Sequence, residues 1–361
     1  MLPNFLIIST IFISVIELII PFFALFSFIK FSFLLVLINF YISNKYKLLL
    51  ICNVAFFSFF YLCLVLFSKY SISNHFLLLI ILNLLIIGYL FKKSSKDLKL
   101  FINFFYIFII LISFYKMAVA LNIIFNLNIN FLSIVFWEIS GGGIYSIGGF
   151  NIPRITFGPE SLFLISYILF HQYKYSYIIL IALLLGFSRV YLVMLLFVIL
   201  YLKKYHLFII FTLLFLISLL SGNIFDERPL LEFDPRFIQW KIFFSMFENI
   251  LFLGDFNYYI NKVQYNLSLE EHDYVRSECE ACQITSDFGI IPFIFIYFSQ
   301  FFILKAYGLC SEGLNKFLVY SLILIVASFF NPLLVSMEFV ALHIIIFAKL
   351  IYNNNIIDTH I

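Results

Sequence analysis

From Leu100 to Ala120 the chain reads LFINFFYIFIILISFYKMAVA, and just upstream, from His75 to Phe91, it reads HFLLLIILNLLIIGYLF; the stretch KKSSKDLK, residues 92–99, joins the two. Runs of this length match the roughly 18–20 apolar residues that a helix needs to cross a bilayer. The link is short and rich in lysine, as expected of a hairpin that turns at a membrane surface. Lipid offers no partner to open backbone, so the runs are expected to span as helices. Barrel strands would be shorter and would alternate in polarity.

The same pattern extends in both directions. Hydropathy places spans near 4–20, 22–43, 48–67, 75–91, 100–120, 159–173, 176–187, 189–203, 206–221, 286–305, 317–332 and 335–351, about twelve in all. Between Tyr175 and Lys203 the spacing is compressed, which fits one long tilted helix or two short ones meeting at Ser188–Arg189. The whole-chain composition agrees: of 361 residues, 64% are hydrophobic and 11% charged, with a mean hydropathy of +1.10. Soluble domains carry about 25% charged residues, and a water-soluble globule with this sequence would expose far more apolar surface than monomers tolerate. Soluble enzymes, secreted proteins and nucleic-acid-binding proteins are therefore excluded. Met1 leads into Phe5–Ile20 without a basic start or a small-residue cleavage site, so no cleavable signal is expected. The 52 Phe and 23 Tyr, with abundant Ile, Asn and Lys, reflect AT-rich codons and carry little chemistry.

The placement of lysine orients the helices. One set of loops holds Lys45, Lys47, Lys92, Lys93, Lys96, Lys99, Lys174, Lys203, Lys204, Lys305 and Lys316, whereas the opposite short loops offer only Lys69 and Lys116. Lys30, inside the second span, fits neither set. The lysine-rich side is expected to be cytoplasmic, with both termini there. This organises the chain as N-terminal transmembrane helices (1–120), a first outward segment (121–158), central transmembrane helices (159–221), a large outward loop (222–286) and C-terminal transmembrane helices (287–361). The large loop alone has a soluble composition and holds more than half of the 19 acidic residues. No internal repeat of the kind found in duplicated transporters is visible.

Arginine is distributed differently from lysine. All five arginines, Arg154, Arg189, Arg228, Arg236 and Arg276, fall between positions 154 and 276, each on the expected outer face or at the outer end of a helix. This runs against the positive-inside tendency. A guanidinium presents a planar, permanently charged fork that binds phosphate through two parallel hydrogen bonds. Such groups at the outer boundary suit a lipid-linked diphosphate. Arg228 and Arg276 can equally pair with neighbouring acids, whereas Arg189 stands between apolar runs, where an ionisable group is costly and marks function.

Four stretches carry a family likeness. Arg154-Ile-Thr-Phe-Gly-Pro-Glu160-Ser161 pairs an arginine with an acid at a helix start. Gly186-Phe-Ser188-Arg189 makes a Ser-Arg helix junction. Asp234-Pro-Arg236-Phe-Ile-Gln-Trp240 leads to Leu253-Gly254, and His272-Asp273-Tyr274 precedes Asp287-Phe-Gly289. In order and spacing the chain resembles the O-antigen polymerases (Wzy type) and their relatives, the O-antigen ligases, over about half its length. It departs from them in placing Glu160 after the proline and in having Asp273 where an Asn often follows the His.

The resemblance implies an all-α, glycosyltransferase-C-like bundle in the bacterial inner membrane, acting in lipopolysaccharide biosynthesis. It implies an inverting, metal-independent glycosyl transfer on the periplasmic face, without cofactor. A glycan on undecaprenyl diphosphate would pass to the sugar of a second lipid-linked unit. Expected partners are thus the lipid-linked donor and acceptor oligosaccharides, the membrane and a chain-length regulator protein, and no nucleic acid. Arg154, Arg189 and Arg236 are the expected diphosphate clamp, with Arg276 and Arg228 as secondary candidates. Cations in a low-dielectric site stabilise the charge that develops on such a leaving group. His272 is the expected base, since an imidazole titrates near neutral pH. Glu160 is the competing base, or it orients an arginine, or it serves only as a favourable acid at a helix N-terminus. Two alternatives stay open: an O-antigen ligase acting on a lipid A-core acceptor, and a flippase or transporter of lipid-linked oligosaccharide.

Other signals are weaker. Cys279-Glu-Ala-Cys282 lacks the second pair or flanking His of a zinc site and could instead close a disulfide in an oxidising compartment. Gly141–Gly143 could cradle phosphate or simply turn the chain. Trp137, Tyr258, Tyr259 and Tyr265 could stack on sugars or anchor at the interface.

Overall fold

A computed structural model describes residues 47–67, 72–125, 127, 129, 144–147, 150–153, 160–171, 176–186, 189–220, 235–251, 254, 256–266, 279–330 and 337–358. The spans expected at 4–20 and 22–43 lie outside these residues. In chain order the elements are α1 (Lys47–Phe67), α2 (Ile72–Leu90), α3 (Ser95–Ile124), β1 (Ile144–Ile147), β2 (Phe150–Pro153), α4 (Glu160–His171), α5 (Ser176–Leu184), α6 (Arg189–Tyr201) and α7 (Tyr205–Leu220). They continue with α8 (Pro235–Ser245), α9 (Phe256–Asn266), α10 (Glu280–Phe288), α11 (Ile290–Tyr307), α12 (Ser311–Ser328) and α13 (Met337–Asp358). The described chain is thus helical apart from one hairpin. Among the described residues three helices, α3, α11 and α12, are long and apolar enough to cross a membrane, and shorter apolar helices accompany them.

The chain divides into two compact units, Met1–Ser32 with Lys99–Arg228, and Phe33–Leu98 with Pro229–Ile361. The first unit is built on α3. Its start is set by Ser94, whose hydroxyl accepts from the Asp97 backbone N–H and donates to the Asp97 carboxylate, a reciprocal cap. Thirty residues long, α3 extends about 45 Å. Leu100, Ile107, Leu111, Phe114 and Leu121 make one exposed apolar stripe along it, while Phe101, Phe105, Ile109, Ile112 and Val119 are buried. An apolar stripe that faces outward at helical spacing is a lipid-facing surface. The protein is a membrane protein on this ground as well as by composition.

Every residue of α4 from Glu160 to Phe170 is buried, so α4 is the core helix of this unit. It packs on α3 through Phe105–Phe163 and Tyr106–Tyr167 ring contacts, and it also packs on α5 and α6. The compressed stretch resolves as two short helices, with α5 ending at Leu184 and α6 beginning at Arg189. The strands β1 and β2 pair antiparallel, with Ile147 opposite Phe150. Only Gly148-Gly149 joins them, a residue pair that two-residue hairpin connections favour.

The second unit contains α1, α2 and α8–α13. Here α2 and α11 run in the same direction, because Phe76 meets Phe293 at one end and Phe91 stacks on Tyr307 at the other. Helices α11 and α12 are separated only by Gly308–Cys310; Gly308 adopts φ 90°, and its N–H caps the carbonyls of Leu304 and Lys305. α12 and α13 are antiparallel, since Phe317 meets Phe347 and Tyr320 meets His343. The span expected at 286–305 is broken at Gly289, where φ is 99° and one helix ends as the next begins.

Candidate functional site

In the first unit the best-defined feature is a buried ion pair. Glu160 opens α4, where the helix dipole favours an acid. Its Oε1 lies 2.8 Å from the Nζ of Lys116 on α3, with both side chains at 0% exposure. The Ser161 hydroxyl donates to the same oxygen at 3.2 Å. Lys116 is therefore not a loop residue, as the charge pattern suggested. It sits within α3, which runs on to Ile124, one turn before the buried Val119 and Ala120, which are covered by Tyr115, Ile123 and Leu185. The signal was legible: a single base inside an apolar run is a functional marker by default. Along the helix axis, Lys116 stands about 26 Å from Lys99, nearly the thickness of the hydrocarbon core.

Arg189 is the first residue of α6, the helix that packs on α4. Two helices in contact thus each begin with a charged candidate, Glu160 on one and Arg189 on the other. Arg154 lies outside the described residues, directly after the last residue of β2 and six positions before Glu160.

In the second unit, Pro235 takes the first position of α8 and Arg236 the second, the place where proline is pre-organised for a helix. One turn later, two side chains anchor the helix. The Gln239 carbonyl oxygen accepts from the backbone N–H of Cys279 at 2.9 Å, and Gln239 is buried. The indole N–H of Trp240 donates to the Phe329 carbonyl at 3.0 Å, with its ring edge-on to Phe330. Cys279 precedes α10 and is disulfide-bonded to Cys282, both fully buried. The CxxC is thus a covalent staple of the first turn of α10. The contact between Gln239 and Cys279 joins the first turn of α8 to the start of α10; in sequence Arg236 stands three positions before Gln239 and Arg276 three before Cys279.

The glycine of the Leu253-Gly254 stretch also has a clear role. A Cβ on Gly254 would run into the backbone of Ser286 and Asp287 at the end of α10. Beside it, the carbonyls of Ile250 and Leu251 accept from the N–H groups of Ile290 and Ile291, each at 2.9 Å. The otherwise unsatisfied donors at the start of α11 are thereby capped by a neighbouring segment. Tyr259 is neither a sugar platform nor an interface anchor. It is buried in a cluster with Phe243, Met246, Ile250 and Val263, and burial pushes its hydroxyl pKa up. Tyr265 is 82% exposed. His272, Arg228, Arg276, Trp137 and Gly141–Gly143 lie outside the described residues. Arg236 belongs to a different unit from Arg154 and Arg189.

Comparison of the chain with protein-family models, with curated proteins and with solved structures finds no match.

Proposed function

We propose that this protein is a polymerase of undecaprenyl-diphosphate-linked O-antigen repeat units, a multi-pass glycosyltransferase of the bacterial inner membrane with about twelve spans and both termini cytoplasmic. The observation that carries this reading is the buried Lys116–Glu160 pair at the start of α4, on the helix that packs against the one opened by Arg189. With four residues between α4 and α5, and four between α5 and α6, the chain reverses at each short connection. The starts of α4 and α6 then share one end. Lys174, Lys203 and Lys204 fall at the other end, on the cytoplasmic side by the positive-inside rule.

In this reading the acceptor hydroxyl attacks the anomeric carbon of the donor glycan. The bond to the diphosphate breaks with inversion, and undecaprenyl diphosphate leaves with the bonding pair. Arg154 and Arg189, in the same unit as Glu160, hold the diphosphate and stabilise its growing charge. Glu160 is buried, with Oε1 engaged by Lys116 and Ser161. A base needs a lone pair within reach of the acceptor hydroxyl, so the base role goes to His272, and Glu160 is a positioning residue.

The test is polymerisation of lipid-linked repeat units by purified protein. Arg189→Lys should lose most turnover while inserting normally, because a point charge lacks the fork; full activity would overturn the clamp. In cells lacking the gene, lipopolysaccharide should show a core bearing a single repeat. A bare core would point instead to the ligase or flippase.

A further inference from the structure

Four helices of the second unit carry a layer of polar side chains inside otherwise apolar sequence. The ring contacts fix the level of each helix. Phe76 on α2 touches both Phe293 on α11 and Phe339 on α13. These three helices run in the same direction, as α11 and α13 are both antiparallel to α12. Seven residues beyond that aromatic layer, about 10 Å along the axis, stand Asn83 on α2 and Gln300 on α11. A step of seven returns to the same helix face, so the two face each other as Phe76 and Phe293 do. His343 lies four residues beyond Phe339, and Tyr297 lies four beyond Phe293. From α12, Tyr320 approaches His343, with its hydroxyl 3.1 Å from Nδ1, and Ser321 is the next residue.

All six side chains are at least nine-tenths buried. Among the described residues, neither polar atom of the Asn83 amide nor of the Gln300 amide has a hydrogen-bond partner, and the same holds for the Tyr297 hydroxyl, the Ser321 hydroxyl and Nε2 of His343. The His343 Nδ1 also lies 3.1 Å from the Phe339 carbonyl. Nε2 is left open in either tautomer: it is a bare acceptor when Nδ1 donates to the carbonyl and a donor when Nδ1 accepts from Tyr320. Leaving this many donors and acceptors dry is costly. Donors and acceptors are both present, from four helices, within about 5 Å of one another along the helix axes. That is the setting in which a buried water makes its usual ~3 hydrogen bonds.

We propose that the second unit contains an internal hydrated site, in which bound water bridges Asn83, Gln300, Tyr297 and Ser321 to Nε2 of His343. It links α2, α11, α12 and α13 through water in addition to the direct contact of Tyr320 with His343.

The experiment is water-edited solid-state NMR on the full-length protein in lipid bilayers, reading magnetisation transfer from water to individual side chains. Transfer to the His343 ring and the Gln300 amide should be several-fold faster than to the Phe76, Phe293 and Phe339 rings one layer away. Equal rates in the two layers would overturn the proposal. The Asn83→Leu, Gln300→Leu double variant removes four of the bridging atoms and should slow transfer to His343 to the rate of the aromatic layer. Undiminished transfer in that variant, with its spectrum otherwise native, would overturn the assignment of these residues as the site.

Discussion

Two buried polar clusters, one in each unit, are completed in different ways. The first takes a full positive and a full negative charge out of solvent and closes them on each other at 2.8 Å. The second unit also buries the charged Glu280, Asp287 and Lys316, but its cluster around Asn83, Gln300 and His343 consists of neutral amides, hydroxyls and an imidazole, many of them without a protein partner among the described residues. The energetics explain the difference. An isolated charge in a low-dielectric interior is untenable, so it must find its counter-charge within bonding distance. A neutral amide or hydroxyl costs far less to leave open and can be satisfied by water. A buried ion pair therefore marks a place where geometry is fixed by the chain itself. A buried neutral layer marks a place where it is completed by something bound.

The contrast can be tested by substitution. The largest effect is expected for Lys116→Met, which strands the Glu160 carboxylate and should cost about 3–5 kcal/mol of stability, read from unfolding in detergent. The Lys116→Met, Glu160→Met double variant should recover most of that loss yet stay inactive in polymerisation. A double variant as unstable as the single would show that the pair is a packing element and not a charge problem. Gly254→Ala should cost about 1–3 kcal/mol or more, because the added methyl meets backbone at the end of α10 and not a yielding side chain; an unchanged melting temperature would refute that close approach.

Trp240→Phe keeps the ring but loses the hydrogen bond to Phe329, for a loss of about 1 kcal/mol. Polymerisation should fall with it if α8 positions Arg236. The smallest change is expected for Gln300→Leu, within about 1 kcal/mol of the parent in either direction, since it removes open polar atoms along with any water they hold. A loss as large as that of Lys116→Met would erase the distinction between the two clusters.

Hydropathy finds apolar stretches, but helices do not stop where hydropathy falls. The expected span 100–120 is read well by its apolar content, yet α3 begins at Ser95 and runs to Ile124, because Ser94 and Asp97 cap one end and Lys116 is paired within the other. In the same way, α12 begins at Ser311, ahead of the expected 317, since a polar first turn lowers hydropathy without interrupting backbone hydrogen bonds. The outward loop gave no hydropathy signal, and α8, α9 and the β1–β2 hairpin in its counterpart were missed. The apolar face of α8 is short and packs on a segment far away in sequence, as Trp240 does on Phe329 and Phe330. The Gly148-Gly149 pair was the hairpin's only local mark.

By itself, the sequence determined that the chain lives in a membrane, where most of the described helices lie, and that its arginines are segregated from its lysines. These are properties of composition and of order along the chain, and they hold whatever the packing. Only the tertiary structure decided that Glu160 is claimed by Lys116, that Gln239 ties the start of α8 to Cys279, and that Asn83, Gln300 and His343 come from helices packed side by side. Each of these depends on which helix faces meet, and that is settled by side-chain fit between segments tens to hundreds of residues apart.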